Sequence, residues 1–142
     1  KDAFEDADHF TNYIDQTAGH LMVATARCLG ECDEAVVRDV AYAAGLAAWF
    51  QAVPKLEEKK RIPMVDGRVE AIQELAQSGL DRLTKARKSR SAVSKASRPA
   101  LWSALSAQKV LQQVIIDPYI VAEGAIRPVQ GNLAWAALTG RW

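Results

Sequence analysis

Apolar residues recur at three- and four-residue spacing along most of the chain, the pattern of helices that bury one face. The first stripe includes Phe10, Ile14, Leu21 and Cys28 and predicts a helix over about residues 6–29, ended by Gly30. Further stripes predict helices over about residues 33–52, 68–90, 99–116 and 129–138. No alternating strand pattern of useful length appears. The prediction is therefore an all-α fold, a bundle of about five helices in a single domain over residues 1–142.

Prolines and glycines mark the boundaries between these helices. Pro54 predicts a break or kink after the second helix, and Asp117-Pro118 predicts the end of the fourth. Gly45 lies inside the second helix, where glycine costs about 1 kcal/mol relative to alanine. We expect Gly45 to be accepted because another helix or a ligand approaches closely there.

Composition is that of a globular domain: 142 residues, 49% apolar and 25% charged, with a net charge of +1. A net charge this small creates no overall field that recruits nucleic acid, so no nucleic acid partner is expected. The longest apolar run, residues 40–53, is shorter than the roughly 20 residues of a membrane span.

Charge is unevenly distributed along the chain. Residues 1–40 carry nine acids, whereas residues 85–98 carry six basic residues and no acid. Four of these basic residues form a candidate anion-binding site for a diphosphate, an anionic membrane surface or an acidic partner: Lys85, Arg87, Lys88 and Arg90. A solvated helix end is the preferred interpretation of the same run.

Metal-ligand patterns are weak. Cys28 and Cys32 lack further cysteines for a tetrahedral zinc site and are expected to be reduced. Asp2 and Asp6 have a spacing that would suit magnesium, but an acidic first turn that favours the helix dipole is preferred. His9 and His20 lie about 16 Å apart along a helix and cannot share one metal ion. No metal site or catalytic residue is identified from these patterns.

Three segments, in order, resemble the squalene/phytoene synthase family. Residues 13–22 look like the family's Tyr, Val-Ala-Gly and Val-Gly segment, which lines the prenyl-chain cavity. Residues 45–49, followed by Lys55 and by Arg61-Ile62-Pro63, are similar to its Gly-x-Ala-x-Gln helix, Asn…Arg-Asp-x-x-Glu-Asp motif and Gly-Arg-x-Tyr-Leu-Pro turn. The third is an alanine-rich helix, an Asp-Pro break and a short last helix.

The resemblance implies the C-terminal half of an isoprenoid-synthase-type fold. The chain begins at Lys1 without an initiator methionine, and a fragment of a longer protein is expected. Six residues would line the cavity by resemblance: Tyr13, Ala18, Gly19, Met22, Gly45 and Ala48. Met22 stands where the family has a second glycine and would fill cavity space.

The magnesium motif of the family is not reproduced. Counting from Gly45 without gaps, the motif's Asn and Arg fall on Ala52 and Lys55. Its first Asp falls on Leu56, and its closing Glu-Asp falls on Lys59 and Lys60. Charged lysine cannot ligate magnesium and repels it, so the second metal site is interpreted as lost.

The preferred hypothesis is a catalytically degenerate squalene/phytoene synthase-like protein that binds a prenyl diphosphate or lipid, or acts in assembly, and needs no cofactor. The alternative is a Mg²⁺-dependent head-to-head prenyltransferase of isoprenoid, carotenoid or hopanoid biosynthesis, which would need Glu57 or Glu58 as a ligand. A plain interaction module is a third hypothesis. The expected location is cytoplasmic, at the periphery of a membrane, or mitochondrial in a eukaryote, and self-association into a homo-oligomer is expected.

Overall fold

The structure, a computed structural model, describes residues 4–142, and every residue in that range that forms regular structure is helical. The α-helices are α1 (Ala7–Ile14), α2 (His20–Leu29), α3 (Glu34–Glu58), α4 (Val69–Lys88), α5 (Ala104–Ile116), α6 (Tyr119–Glu123) and α7 (Leu133–Thr139). A π-helical segment, Asp15–Gly19, joins α1 to α2, and 3-10 turns occupy Arg90–Ala92 and Arg98–Leu101. Apart from an isolated bridge between Cys32 and Val93, residues 4–142 contain no β pairing. The predicted all-α fold is confirmed.

Helices α1 and α3 begin where the sequence predicts, because an aspartate caps each of them. The Asp6 side chain accepts a hydrogen bond from the His9 amide at 2.7 Å. The Asp33 side chain accepts one from the Val36 amide at 3.2 Å. Each carboxylate satisfies an amide of the first turn that has no partner within the helix.

Gly30 ends α2 as predicted, but for a different reason. Its φ of 167° is extended backbone, not the left-handed conformation of the usual helix-ending glycine. A Cβ at this position would lie 2.7 Å from Ser94 Oγ and 3.1 Å from Ser97 Oγ. Glycine is required here because the loop before α5 packs directly on the end of α2.

The predicted end of the second helix at Ala52 is wrong. Helix α3 continues through Pro54 to Glu58. Pro54 lacks an amide hydrogen, so continuing the helix forfeits one hydrogen bond. Phe50 and Val53, the buried residues just before it, anchor this part of the helix in the core. Their burial offsets that loss, and the helix ends where Lys60 adopts a positive φ of 55°.

The C-terminal region departs most from the prediction. The sequence pattern misses α6, whose five residues are too few to show a period. The last helix begins at Leu133 and not near residue 129, because the Asn132 side chain caps it by accepting from the Trp135 amide at 2.9 Å. Helix α5 ends at Ile116, immediately before Asp117-Pro118, as predicted.

Helix α3 is the centre of the fold. It contacts α1, α2, α4, α5 and α6. Its buried side chains include Val37, Val40, Leu46 and Phe50, which belong to the same hydrophobic cluster as residues of α4 and α5. A helix that is buried on most sides has apolar residues on most of its faces. The alanine-rich middle of α3, which has no strongly polar face, fits this position. No helix within residues 4–142 is long and apolar enough to cross a bilayer.

Candidate functional site

Two of the predicted cavity residues, Ala18 and Gly45, meet where the first helical run crosses α3. A Cβ on Gly45 would lie 2.8 Å from Ala18 Cβ and 2.9 Å from Ile14 Cγ2. The close approach expected at Gly45 is therefore made by a helix. Gly19 is buried beside Asp15 and Arg38, and Met22 packs, partly buried, against the core.

An ion-pair network joins the two helical runs at the same crossing. Arg38 of α3 donates to Asp15 of the π-helical segment at 2.8 Å and forms a second ion pair with Glu34 at 2.7 Å. Hydrogen bonds to Glu34 and Asp15 raise the pKa of Arg38. The hydrogen bond from Arg38 and the charge of Arg27 lower the pKa of Glu34. Opposite charges thus reinforce the packing at Gly45.

Tyr13 and Ala48, the other two predicted cavity residues, are exposed beside this crossing. The Tyr13 ring lies 5.5 Å from that of Trp49, which places α1 against the turn of α3 after Gly45. Ala48 and Ala52 follow Gly45 by about one and two turns and lie on the same side of α3. We call this surface of small and apolar residues the crossing face: Tyr13, Ala18, Gly45, Ala48 and Ala52.

The residues at the family's magnesium-motif positions lie at or just beyond the C-terminal end of α3. Lys55, Lys59 and Lys60 are exposed, and Leu56 is partly buried. Glu57 and Glu58, the acids nearest to these positions, are also exposed. Residues 4–142 contain no group of three or more His, Cys, Asp or Glu side chains arranged to hold a metal ion.

The remaining candidates of the sequence analysis are dispersed. Asp2 lies outside the described residues, and Asp6 serves as the cap of α1. His20 is exposed, whereas the Nδ1 atom of His9 accepts from the Glu5 amide at 3.3 Å. The cysteines are free thiols.

A pocket of about 530 Å³ opens between α1, α3, α4 and the loop after α3. Its lining residues include Phe10, Met64, Leu75 and Arg82. The guanidinium of Arg82 lies 3.9 Å from the centre of the Tyr42 ring and covers that part of the wall. Sequence reasoning missed this pocket because its lining residues come from separate segments with no common motif.

The four predicted anion-binding residues are separated by the fold. Lys85 forms an ion pair with Asp39 at 2.8 Å, and Lys88 is exposed. Arg87 and Arg90 instead point to the C-terminal residue of the described chain: Arg87 Nε and Arg90 Nη2 donate to the main-chain oxygen of Trp142 at 2.8 and 2.9 Å. The solvated interpretation holds for Lys88, and it is wrong for Arg87 and Arg90.

Arg87 and Arg90 line a second pocket, of about 370 Å³, at the junction of α4, α5 and α7. We call it the arginine pocket, and its principal residues are Arg87, Arg90, Gln108, Trp135, Arg141 and Trp142. Arg141 and the two tryptophans were not predicted, because they lie 37 or more residues after Arg98, the last residue of the basic run. Only the tryptophan-rich ending of the chain could have drawn attention to them.

Electrostatics distinguish the arginine pocket from the rest of the surface. Burial, and then repulsion from Arg90, lower the pKa of Arg87. Burial, and then repulsion from Arg141 and Arg98, lower the pKa of Arg90. Both groups stay charged at neutral pH because the ordinary arginine pKa is far higher. The pocket is therefore a concentration of positive charge.

Comparison with known proteins identifies no relative. No protein-family model matches the chain, and neither the curated proteins nor the solved structures contain a significant match. The resemblance to the squalene/phytoene synthases therefore rests on the residues of the chain itself.

Proposed function

We propose that this chain is a squalene/phytoene synthase-like domain that binds a prenyl chain or a related lipid and does not transfer it. The observation that carries the proposal is the chemistry beside the crossing face. Where the family has carboxylates, α3 and its end present Leu56, Lys59 and Lys60. Binding without transfer is the function that an apolar surface followed by ammonium groups supports best.

The loss of transfer follows from the demands of the reaction. Magnesium takes oxygen ligands, and in prenyl transfer it neutralises the diphosphate leaving group as the carbon–oxygen bond breaks. An ammonium group supplies no lone pair, and its positive charge repels the ion. A lysine can still attract a diphosphate, so these positions favour holding an anionic ligand over activating it.

The crossing face supports an apolar ligand. Ala48 is exposed although it lies on a helix whose neighbouring side chains are largely buried. The contact of Gly45 with Ala18 leaves no large side chain at the centre of this surface. An isoprenoid chain lying against Tyr13 and Ala48 would remove apolar area from water, at about 25 cal/mol per Å².

The second proposal, a magnesium-dependent prenyltransferase completed by further chain, requires Glu57 or Glu58 to face the substrate. Adjacent helical residues point about 100° apart, so the pair cannot replace two carboxylates that share one face. Both side chains are exposed. This exposure favours the first proposal over the second.

Turnover distinguishes the two proposals. The chain, joined to the upstream half that the second proposal requires, is incubated with farnesyl or geranylgeranyl diphosphate and Mg²⁺, and release of inorganic pyrophosphate is measured. We expect none above the rate without protein. Release that depends on Mg²⁺ and is lost in the Glu57→Gln, Glu58→Gln double variant would establish the prenyltransferase instead.

Binding at the crossing face is tested with farnesol, a neutral prenyl alcohol, through its effect on tryptophan fluorescence, since Trp49 adjoins Tyr13. The variant Ala48→Glu places a charge on the apolar surface and should weaken binding at least about tenfold. Ala35→Glu is the matched control, because Ala35 is an exposed alanine in the first turn of the same helix. Equal affinity in both variants, or no saturable effect of farnesol, would overturn the proposed site.

A further inference from the structure

We propose that the arginine pocket is a binding site for a phosphate or diphosphate group. The pocket lies between α4, α5 and α7 and shares no residue with the crossing face. The proposal is therefore independent of prenyl or lipid binding at that face.

The first argument is that no acidic side chain of the described residues balances the guanidinium groups. Arg87 and Arg90 donate to the main-chain oxygen of Trp142, and Arg87 also donates to Gln108 Oε1. Arg98, behind the pocket, donates to the main-chain oxygens of Val93 and Gly140. Within residues 4–142, no Asp or Glu forms an ion pair with these three arginines or with Arg141. Four guanidinium charges therefore lie near one another without an acidic side chain from the described chain to balance them.

The second argument is an excess of hydrogen-bond donors. Arg90 Nε and Trp142 Nε1 are buried and have no acceptor among the described residues. Both residues line the pocket. A buried donor without an acceptor costs about 1–3 kcal/mol, so such donors are rare in folded proteins. Because no acceptor of the described residues balances these two N–H groups, their dipoles add to the positive potential of the pocket wall.

The third argument is mutual repulsion among the cations. Burial lowers the pKa of Arg90, and repulsion from Arg141 and Arg98 lowers it further. Burial also lowers the pKa of Arg87, and repulsion from Arg90 adds to that effect. Lys109 also lines the pocket and adds a further positive charge. A bound anion reduces this repulsion among the arginines, and the reduction favours anion binding at the pocket.

The chemistry favours phosphate over a single carboxylate. The cavity is lined by Arg87 at the end of α4, by Arg90 in the 3-10 turn that follows, and by Arg141 after α7. Phosphate offers oxygens in several directions and up to two negative charges, which matches several guanidinium forks better than one planar carboxylate does. The cavity of about 370 Å³ has room for a diphosphate.

Two sources can supply this group: a soluble phosphate compound, or the headgroup of an anionic phospholipid. Trp135 and Leu138 of α7 are exposed, and Trp135 lies at the rim of the pocket. Exposed tryptophan and leucine beside arginine are typical of surfaces that contact lipid headgroups. The experiment therefore has one arm for each source.

In the first arm, inorganic pyrophosphate is titrated into the intact chain by calorimetry at constant ionic strength. The main variant is Arg141→Gln, because the Arg141 side chain is exposed and its removal breaks no described hydrogen bond of the fold. The control is Lys88→Gln, which removes the same charge from the same basic surface outside the pocket. We expect saturable binding that Arg141→Gln weakens about tenfold and Lys88→Gln changes less than about twofold.

In the second arm, sedimentation is compared for vesicles of phosphatidylglycerol and of phosphatidylcholine. The headgroup is the source if the protein sediments with phosphatidylglycerol vesicles but not with phosphatidylcholine vesicles, and if pyrophosphate and the Arg141→Gln substitution both reduce the sedimented fraction. Pyrophosphate binding without sedimentation identifies a soluble phosphate. Absence of both, or an equal loss in Arg141→Gln and Lys88→Gln, would overturn the proposal, because the attraction would then be absent or nonspecific.

Discussion

Two groups of arginines in this chain have opposite surroundings. Arg38 lies at the crossing of the first helical run with α3, where Glu34 and Asp15 neutralise it and raise its pKa. Arg87 and Arg90 lie at the arginine pocket, where burial and neighbouring cations lower their pKa values. The first region satisfies its positive charge internally, and the second does not.

The charge of Arg38 stabilises the fold, whereas the charges of Arg87 and Arg90 are available to a ligand. The partners of Arg38 make its ion pairs part of the helix contact at Gly45. Arg87 and Arg90 are oriented by the main-chain oxygen of Trp142 and the Gln108 amide, and no Asp or Glu of the described residues pairs with them. Oriented guanidinium groups that outnumber the acidic side chains around them are what an anion site requires.

The largest expected effect concerns what holds the arginine pocket together. Trp142 is only 1% exposed, and the Arg90 guanidinium lies 5.5 Å from the centre of its ring. We expect Trp142→Ala to lower the free energy of unfolding by about 3–5 kcal/mol, because it removes a large buried side chain from beneath the pocket. Urea denaturation measures this loss. Trp135→Ala is the control, since Trp135 is 43% exposed, and a loss as large as that of Trp142→Ala would contradict the assignment.

A smaller effect should differ between the two groups of arginines. Arg38→Gln removes two ion pairs at the helix crossing and should lower the free energy of unfolding by about 0.5–1 kcal/mol. Arg141→Gln removes a repelling cation and should leave that free energy within about 0.5 kcal/mol of the wild type. Thermal unfolding in low salt, without phosphate, compares them. Equal destabilisation would mean that the two regions do not differ as described.

The smallest effect is a dependence on pH confined to the helix crossing. Because the folded pKa of Glu34 lies below its ordinary value of 4.5, its contribution to stability is complete above that value. This contribution is lost as the pH falls below 4.5, when the carboxylate is protonated in the folded chain. Wild type should therefore be more stable than Glu34→Gln at neutral pH, and the gap should close in acid. A gap that widens on acidification would show that the ion pairs with Arg27 and Arg38 are not the cause.

Most of the fold could be read from the sequence. The five longer helical runs follow from apolar spacing, and Asp6 and Asp33 mark two starts to within a residue. The errors have identifiable causes. Pro54 predicts a break or kink, but burial around it carries α3 onward, and α6 is too short to show a period. A helix can continue through a residue of low helix propensity where the packing of its neighbours contributes more free energy than the one hydrogen bond that is lost.

The candidate sites could be predicted from the sequence less completely than the fold. Tyr13, Ala18 and Gly45 were grouped only by the family resemblance, and in the structure Gly45 lies against Ala18. The basic run, by contrast, indicated four equivalent residues, and the fold divides them. Lys85 pairs with Asp39, Lys88 faces solvent, and the two arginines turn to Trp142.

The sequence by itself determined the helical fold class and the caps of α1 and α3, because these depend on spacing and residue type within one segment. Only the tertiary structure decided which positive charges are neutralised. Asp15 is 23 residues from Arg38, and Trp142 is 52 residues from Arg90. The electrostatic state of a side chain depends on the groups that lie within a few ångströms of it, and those distances are set by how the helices pack.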